Sequence, residues 1–211
     1  MKSDGDRVIT GRNTNEAFLE IVYIFIAPVA LLYVGVIPYS WRILVLLGIS
    51  LLIMSIIRYG RWTRAQLGIA HLFRPRATAA WSFFTLLGVV AIVYYARRFD
   101  FDPVVLGDLA SSWRLLLFFI PLSVLQEVAY RGFLTERLRQ FSFSRFHRVF
   151  LNAALFTLLH IIYPYAAITL PIAFIGGLCF AALYEKHPDL LLACMSHSVL
   201  NFTAVYFGFF S

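Results

Sequence analysis

Residues 113–134, WRLLLFFIPLSVLQEVAYRGFL, form an apolar run that is long enough to cross a lipid bilayer as a helix. About 20 apolar residues span a hydrocarbon core of about 30 Å. Near its end the run carries Glu127 and Arg131, and ionisable groups are rare at such positions because hydrocarbon solvates them poorly. The stretch therefore predicts a membrane helix that carries part of a functional site.

The composition of the whole chain points to the same solvent. Of the 211 residues, 61% are hydrophobic and only 14% are charged, and the mean hydropathy is +0.79. A water-soluble domain is far more polar than this. We therefore predict an all-α fold, a polytopic membrane helical bundle in which residues 1–211 form a single integral membrane domain.

Apolar runs recur along the chain and set the expected number of spans. They cover 17–37, 42–57, 78–96, 113–134, 148–163, 166–184 and 190–210, with boundaries that shift by a few residues. These runs predict about seven transmembrane helices, and the length of the chain allows six to eight. Residues 1–16 are polar and lack an apolar core, so we expect a polar amino terminus and no cleaved signal peptide.

The formal net charge of +7 would also suit a nucleic-acid-binding protein. Here, however, the basic residues lie in short segments between apolar runs, where positive charge determines topology. Fourteen of the eighteen Lys and Arg residues fall on the amino-terminal side of the predicted spans. We predict a cytoplasmic amino terminus, a carboxyl terminus outside if there are seven spans, and the lipid bilayer as a partner instead of nucleic acid. The short, nearly loop-free chain indicates a prokaryotic plasma (inner) membrane.

Three further polar residues lie within apolar runs, namely His160, His197 and Asn201. At about 1.5 Å per residue, Glu127 and His197 lie about 7–10 Å inside their predicted spans, and His160 lies about 16–18 Å inside. Helix tilts of about 20° compensate for such differences in depth. We therefore predict that these groups converge in one polar cluster between separate helices.

Each of these groups also has a purely structural interpretation. Glu127 and Arg131 are four residues apart on one helical face, where they would form a neutralising ion pair. A lone histidine such as His160 is more often a hydrogen-bonded core residue. Asn201 lies one turn after His197 and would simply satisfy its hydrogen bond. The residues alone leave these interpretations open beside the functional one.

Three short strings place these residues in a characteristic order. They are Gln126-Glu127-x-x-x-Arg131, Phe156-x-x-x-His160 and His197-x-x-x-Asn201. In this order they resemble the signature of the CAAX protease and bacteriocin-processing family of intramembrane glutamic endopeptidases. The resemblance covers residues 113–210 and implies a catalytic core in the last four helices. One position departs from the family pattern, because Gln126 stands where the family has a first glutamate.

What the resemblance implies is hydrolysis of a peptide bond within the membrane. Glu127 and His160 would activate water, and His197 with Asn201 would stabilise the oxyanion, while Gln126 and Arg131 would have supporting parts. The implied substrate is a peptide or protein with a hydrophobic or lipidated tail. Its cleavage would mature a membrane-associated peptide or remove a carboxyl-terminal sorting tail.

No cofactor is expected for this chemistry, and zinc is the alternative. A carboxylate and two imidazoles can ligate zinc and leave a fourth position open for water. In that case the ligands would be Glu127, His160 and His197. No His-Glu-x-x-His string occurs in the chain, so we predict that no metal is needed.

Two further functions stay open at the level of the sequence. If Glu127 is held by Arg131 alone, a catalytically inactive family member would bind a peptide as an immunity or binding protein. A proton-coupled transporter would also use buried His and Glu side chains. Many transporters show an internal two-fold repeat, and none is visible in this chain.

Overall fold

The computed structural model describes residues 14–100, 113–141, 143–162, 166–207 and 209. Most of the predicted polar amino terminus, residues 1–13, lies outside the described residues. Within the described part the chain is helical and contains no strand, which confirms the predicted all-α class.

The described residues form seven successive helices, and each overlaps one of the predicted apolar runs. We number them α1 (Thr14–Tyr33), α2 (Tyr39–Tyr59), α3 (Pro75–Arg98), α4 (113–138), α5 (Arg145–Leu158), α6 (Ala166–Lys186) and α7 (Leu190–Tyr206). A 3₁₀ turn, Leu159–Ile162, continues α5.

In the part of the chain that the structure describes, four segments are long and apolar enough to cross a membrane, namely α1, α2, α3 and Thr169–Lys186 within α6. Only 11–33% of their most apolar windows is buried inside the protein, so most of that surface needs an apolar surrounding. The chain is therefore a multi-pass membrane protein. The helices α5 and α7 are shorter, with 14 and 17 residues, and the count of seven spans stays a prediction.

The second half of α4 forms the centre of the bundle. Its side chains Tyr130, Phe133 and Leu134 are buried against Phe25 of α1 and Ile53 of α2. This half begins with a π-helical segment, Val128–Leu134, directly after Glu127. Such wide turns inside α-helices are rare and often occur at functional sites.

Hydrogen bonds from side chains stabilise the wide turn. The carbonyl oxygen of Tyr130 accepts a hydrogen bond from Thr135 Oγ1 at 3.1 Å and another from Asn152 Nδ2 at 2.7 Å. Asn152 is buried on α5, so this amide joins α4 to the helix that leads to His160. The wide turn and the position of α5 are therefore fixed together.

Close packing holds α5 against α6. A Cβ atom added to Gly177 would lie 3.2 Å from Ala153 Cα, so any larger residue would require the backbones of α5 and α6 to shift by a few tenths of an ångström. Small residues have the same use in many membrane helix pairs. At the neighbouring Gly176, an added Cβ would meet nothing within 4 Å. The two adjacent glycines therefore have different surroundings.

The start of α7 is fixed by the buried Asp189. One oxygen of its carboxylate accepts from the Leu192 N–H at 3.0 Å and caps the helix, and the other accepts from the Phe73 N–H at 2.7 Å. In addition, the Leu190 N–H donates to the carbonyl of Gly68 at 3.0 Å. The loop between α2 and α3 thus positions the helix that carries His197 and Asn201.

Candidate active site

Two hydrogen bonds join the facing sides of α4 and α7. His197 Nδ1 donates to Glu127 Oε1 at 2.6 Å, because an ionised carboxylate can only accept. Asn201 Nδ2 donates to Ser123 Oγ at 3.0 Å. Residues four apart lie on one helical face, so the two hydrogen bonds lie one helical turn apart between the same two helices. The structure therefore brings Glu127 and His197 together.

The carboxylate of Glu127 has a second partner in Arg131. Arg131 Nη1 lies 3.3 Å from the same oxygen, and both side chains are fully buried. The guanidinium lies between two aromatic rings, 4.8 Å from the centre of Phe156 and 4.9 Å from that of Phe180. These rings stabilise its charge through cation–π contacts. The structural interpretation of an ion pair and the contact with His197 therefore hold at the same time.

The second imidazole, His160, lies on the 3₁₀ turn after α5. Its Nδ1 lies 3.0 Å from the carbonyl oxygen of Phe156, to which it donates. A neutral imidazole that donates through Nδ1 is an acceptor at Nε2. His197 has the same tautomer, because its Nδ1 donates to Glu127. Both imidazoles therefore have Nε2 as their proton-accepting atom.

A cavity of about 120 Å³ lies between α3, α5, α6 and α7. His160, His197 and Asn201 line it together with Thr169, and the rest of its wall is apolar. A single water needs only about 10–15 Å³ of such space, so the cavity has room for several waters or for part of a peptide. Glu127 is not among the lining residues, and it reaches the cavity through His197.

Gln126 lies on a different side of α4. Its side chain is 7% exposed and lines a second cavity beside residues of α1 and α2, among them Val29 and Ile49. Successive helical residues project about 100° apart, so Gln126 and Glu127 face different neighbours. Gln126 therefore lines a different cavity from the two imidazoles.

Two residues of the site were missed by the sequence analysis. Ser123 lies one turn before Glu127 on the same face of α4, so helical spacing could have indicated it. Phe180 contacts both Arg131 and His197, with ring centres of Phe180 and His197 5.6 Å apart. Nothing in the sequence distinguishes this phenylalanine from its neighbours, because its part depends on how α6 packs.

The polar side chains of the site can also be judged as metal ligands. Ligand atoms have to converge on one point, whereas Glu127 Oε1 and His197 Nδ1 face each other at hydrogen-bond distance. Among the described residues, no group of three or more His, Cys, Asp or Glu side chains is arranged to hold a metal ion. The metal requirement of the chain stays a prediction.

The protein is a helical membrane protein with a cavity that is lined by two imidazoles and an amide. A carboxylate lies behind one of the imidazoles. These are the residue types of a hydrolytic site. A sequence model described as type II CAAX prenyl endopeptidase Rce1-like matches residues 108–203, which contain all three strings. The matched residues make up slightly less than half of the chain, and this part is similar to the CAAX protease family, as its strings predicted. The similarity supports a membrane protease in kind. No curated protein and no solved structure matches it significantly.

Proposed function

We propose that this chain is an intramembrane endopeptidase. It hydrolyses a peptide bond in a membrane-associated or tail-anchored peptide or protein with a hydrophobic or lipidated tail. The single observation that carries the proposal is the 2.6 Å hydrogen bond between Glu127 and His197, formed directly behind a cavity that His197 shares with His160 and Asn201.

In this proposal His197 is the base that touches water. Its Nε2 takes a proton from a water molecule while the water oxygen attacks the carbonyl carbon of the substrate. The carboxylate of Glu127 orients the ring and stabilises the imidazolium that forms. Glu127 thus acts through His197 and not directly on water, which differs from the role that the resemblance implied.

The other cavity residues complete the reaction. His160 Nε2 accepts a hydrogen bond from the attacking water and orients it, and the Asn201 amide donates to the developing oxyanion. One such donor contributes about 3–4 kcal/mol to stabilising the transition state. The imidazolium of His197 then gives its proton to the leaving nitrogen as the carbon–nitrogen bond breaks. The products are a carboxylic acid and an amine.

The wall of the cavity supports an apolar substrate. Apart from its four polar residues, the cavity is lined by side chains such as Ile92, Ile172 and Leu200. Such a wall favours an apolar peptide segment and keeps the number of competing waters small. Polar interactions with the reacting carbonyl are stronger in these surroundings than in bulk water.

The test is cleavage of a panel of peptides with hydrophobic or lipidated tails by the protein purified in detergent. Wild type is compared with His197→Ala, His160→Ala and the control His71→Ala, whose side chain is exposed outside the site. We expect wild type and the control to cleave with or without a chelator, and the two cavity variants to lose at least a hundredfold in rate.

Three outcomes would contradict the proposal. Cleavage that survives in both cavity variants would remove the imidazoles from the mechanism. Tight binding of the peptides by wild type without any cleavage would indicate the inactive binding protein instead. Cleavage that disappears with a chelator and returns with zinc would establish the metal alternative.

A further inference from the structure

The hydrogen bonds of Ser123 fix the orientation of the Asn201 side-chain amide. Its side chain is fully buried, and its Oγ donates to the carbonyl oxygen of Phe119 at 2.8 Å. A serine hydroxyl has one proton, so towards Asn201 this oxygen can only accept. The nitrogen of the Asn201 amide, and not its oxygen, therefore faces Ser123 at 3.0 Å.

This orientation matters because Asn201 also lines the cavity and Ser123 does not. The amide nitrogen carries two N–H groups, and Ser123 uses one of them. The second is left for a carbonyl oxygen in the cavity. With the amide turned over, the acceptor oxygen would take the position of the nitrogen and would face the lone pairs of Ser123.

We propose that Ser123 is a positioning residue, whose hydroxyl holds the Asn201 amide so that its second N–H is presented to the reacting carbonyl of the substrate. This inference rests on the proposed function, because it assigns Ser123 a part in the same reaction. It adds a residue that lies outside the three strings and outside the cavity. Ser123 and Glu127 then have parallel parts, since each holds one polar residue of α7 in place.

The chain offers a matched control on the side of α7 that faces α3. Ser196 is buried, and its Oγ lies 2.7 Å from Thr85 Oγ1 of α3. Ser196→Ala and Ser123→Ala thus make the same chemical change, and each removes one hydroxyl contact between α7 and a neighbouring helix. Of the two serines, only Ser123 makes its hydroxyl contact with a residue that lines the cavity, namely Asn201. A general loosening of α7 would affect both variants alike.

The experiment measures kcat and KM for a tailed peptide that wild type cleaves. For Ser123→Ala we expect kcat to fall roughly tenfold to a hundredfold, which is at most the loss of one oxyanion donor, with KM within twofold of wild type. Ser196→Ala should leave both constants within twofold. In an Asn201→Ala background, Ser123→Ala should lower kcat no further, because the group that it positions is gone.

The proposal is overturned if the effects of Ser123→Ala and Asn201→Ala on kcat multiply, or if Ser196→Ala lowers kcat as much as Ser123→Ala does.

A second readout does not depend on activity. Wild type, Ser123→Ala, Asn201→Ala and the double variant are compared by thermal unfolding in detergent. The decreases in unfolding temperature that the two single substitutions cause should not add up in the double variant. Additive shifts in unfolding temperature would show that the hydrogen bond between Ser123 and Asn201 does not exist. If wild type cleaves no peptide, the proposed function fails and the positioning role fails with it. The comparison of unfolding temperatures still tests whether the hydrogen bond between Ser123 and Asn201 exists.

Discussion

Glu127 and His197 are 70 residues apart in the sequence, and a hydrogen bond of 2.6 Å joins their side chains between α4 and α7. The oxygen that accepts this bond also lies 3.3 Å from Arg131. One carboxylate oxygen therefore has a cation on its own helix and an imidazole on a facing helix. Its two partners give it two separable effects, one on the stability of the fold and one on the chemistry of the cavity.

Replacing Glu127 by glutamine should abolish most activity. The amide keeps the size of the side chain but has no negative charge to stabilise an imidazolium, and it allows either tautomer of His197. In a related triad, the loss of the charge behind a histidine costs about 10⁴ in kcat. We expect Glu127→Gln to lower kcat at least a hundredfold with little change in KM, measured by peptide cleavage in detergent. Retention of a tenth or more of the wild-type rate would contradict the assigned role.

A double substitution should separate stability from chemistry. Glu127→Gln leaves Arg131 as an uncompensated charge in a fully buried position, which destabilises a protein by about 3–5 kcal/mol. Adding Arg131→Met removes that charge, so we expect the unfolding temperature of the double variant to return towards wild type. Cleavage should stay lost. A double variant that is less stable than either single one would show that the ion pair is not the source of the instability.

Gln126→Ala should have a small effect on catalysis. The side chain lines the second cavity and not the one that His160 and His197 line, so its removal leaves the proposed mechanism intact. We expect kcat to change by less than threefold, against the large loss in Glu127→Gln. A fall of more than tenfold in Gln126→Ala would show that the amide takes part in the reaction.

The adjacent glycines of α6 provide a matched pair for stability. An alanine at 177 would place its Cβ 3.2 Å from the Cα of Ala153 and push α5 and α6 apart, whereas an alanine at 176 would contact nothing within 4 Å. We expect Gly177→Ala to lower the unfolding temperature clearly. Gly176→Ala should match wild type or exceed it, by at most about 1 kcal/mol from helix propensity. Equal effects of both substitutions would mean that α5 and α6 do not pack through Gly177.

Much of the fold and part of the site could be predicted from the sequence. Each apolar run became a helix, because the hydrocarbon solvent leaves few alternatives to internal backbone hydrogen bonding. The depth estimates predicted a meeting of Glu127 and His197, which the structure shows. They placed His160 deeper, yet it lines the same cavity as His197, since a predicted helix boundary wrong by a few residues shifts the depth by several ångströms.

The remaining features depend on tertiary packing, which spacing cannot reveal. In any α-helix the side chains of two successive residues such as Gln126 and Glu127 project about 100° apart. Which of the two faces the imidazoles depends on how α4 packs against its neighbours. The π-helical turn Val128–Leu134 has no propensity signal and is stabilised by Asn152 from another helix. Phe180 also gains its part only when α6 packs beside Arg131.

The two bonds of Asp189 have a consequence for the boundaries of the functional unit. Phe73 lies well before residues 108–203, the part of the chain that the family model covers, yet its backbone holds the residue that caps α7. A truncated chain that begins near residue 108 would leave one end of α7 without this anchor. We therefore expect that a piece in which His197 and Asn201 keep their alignment with α4 has to include the loop between α2 and α3.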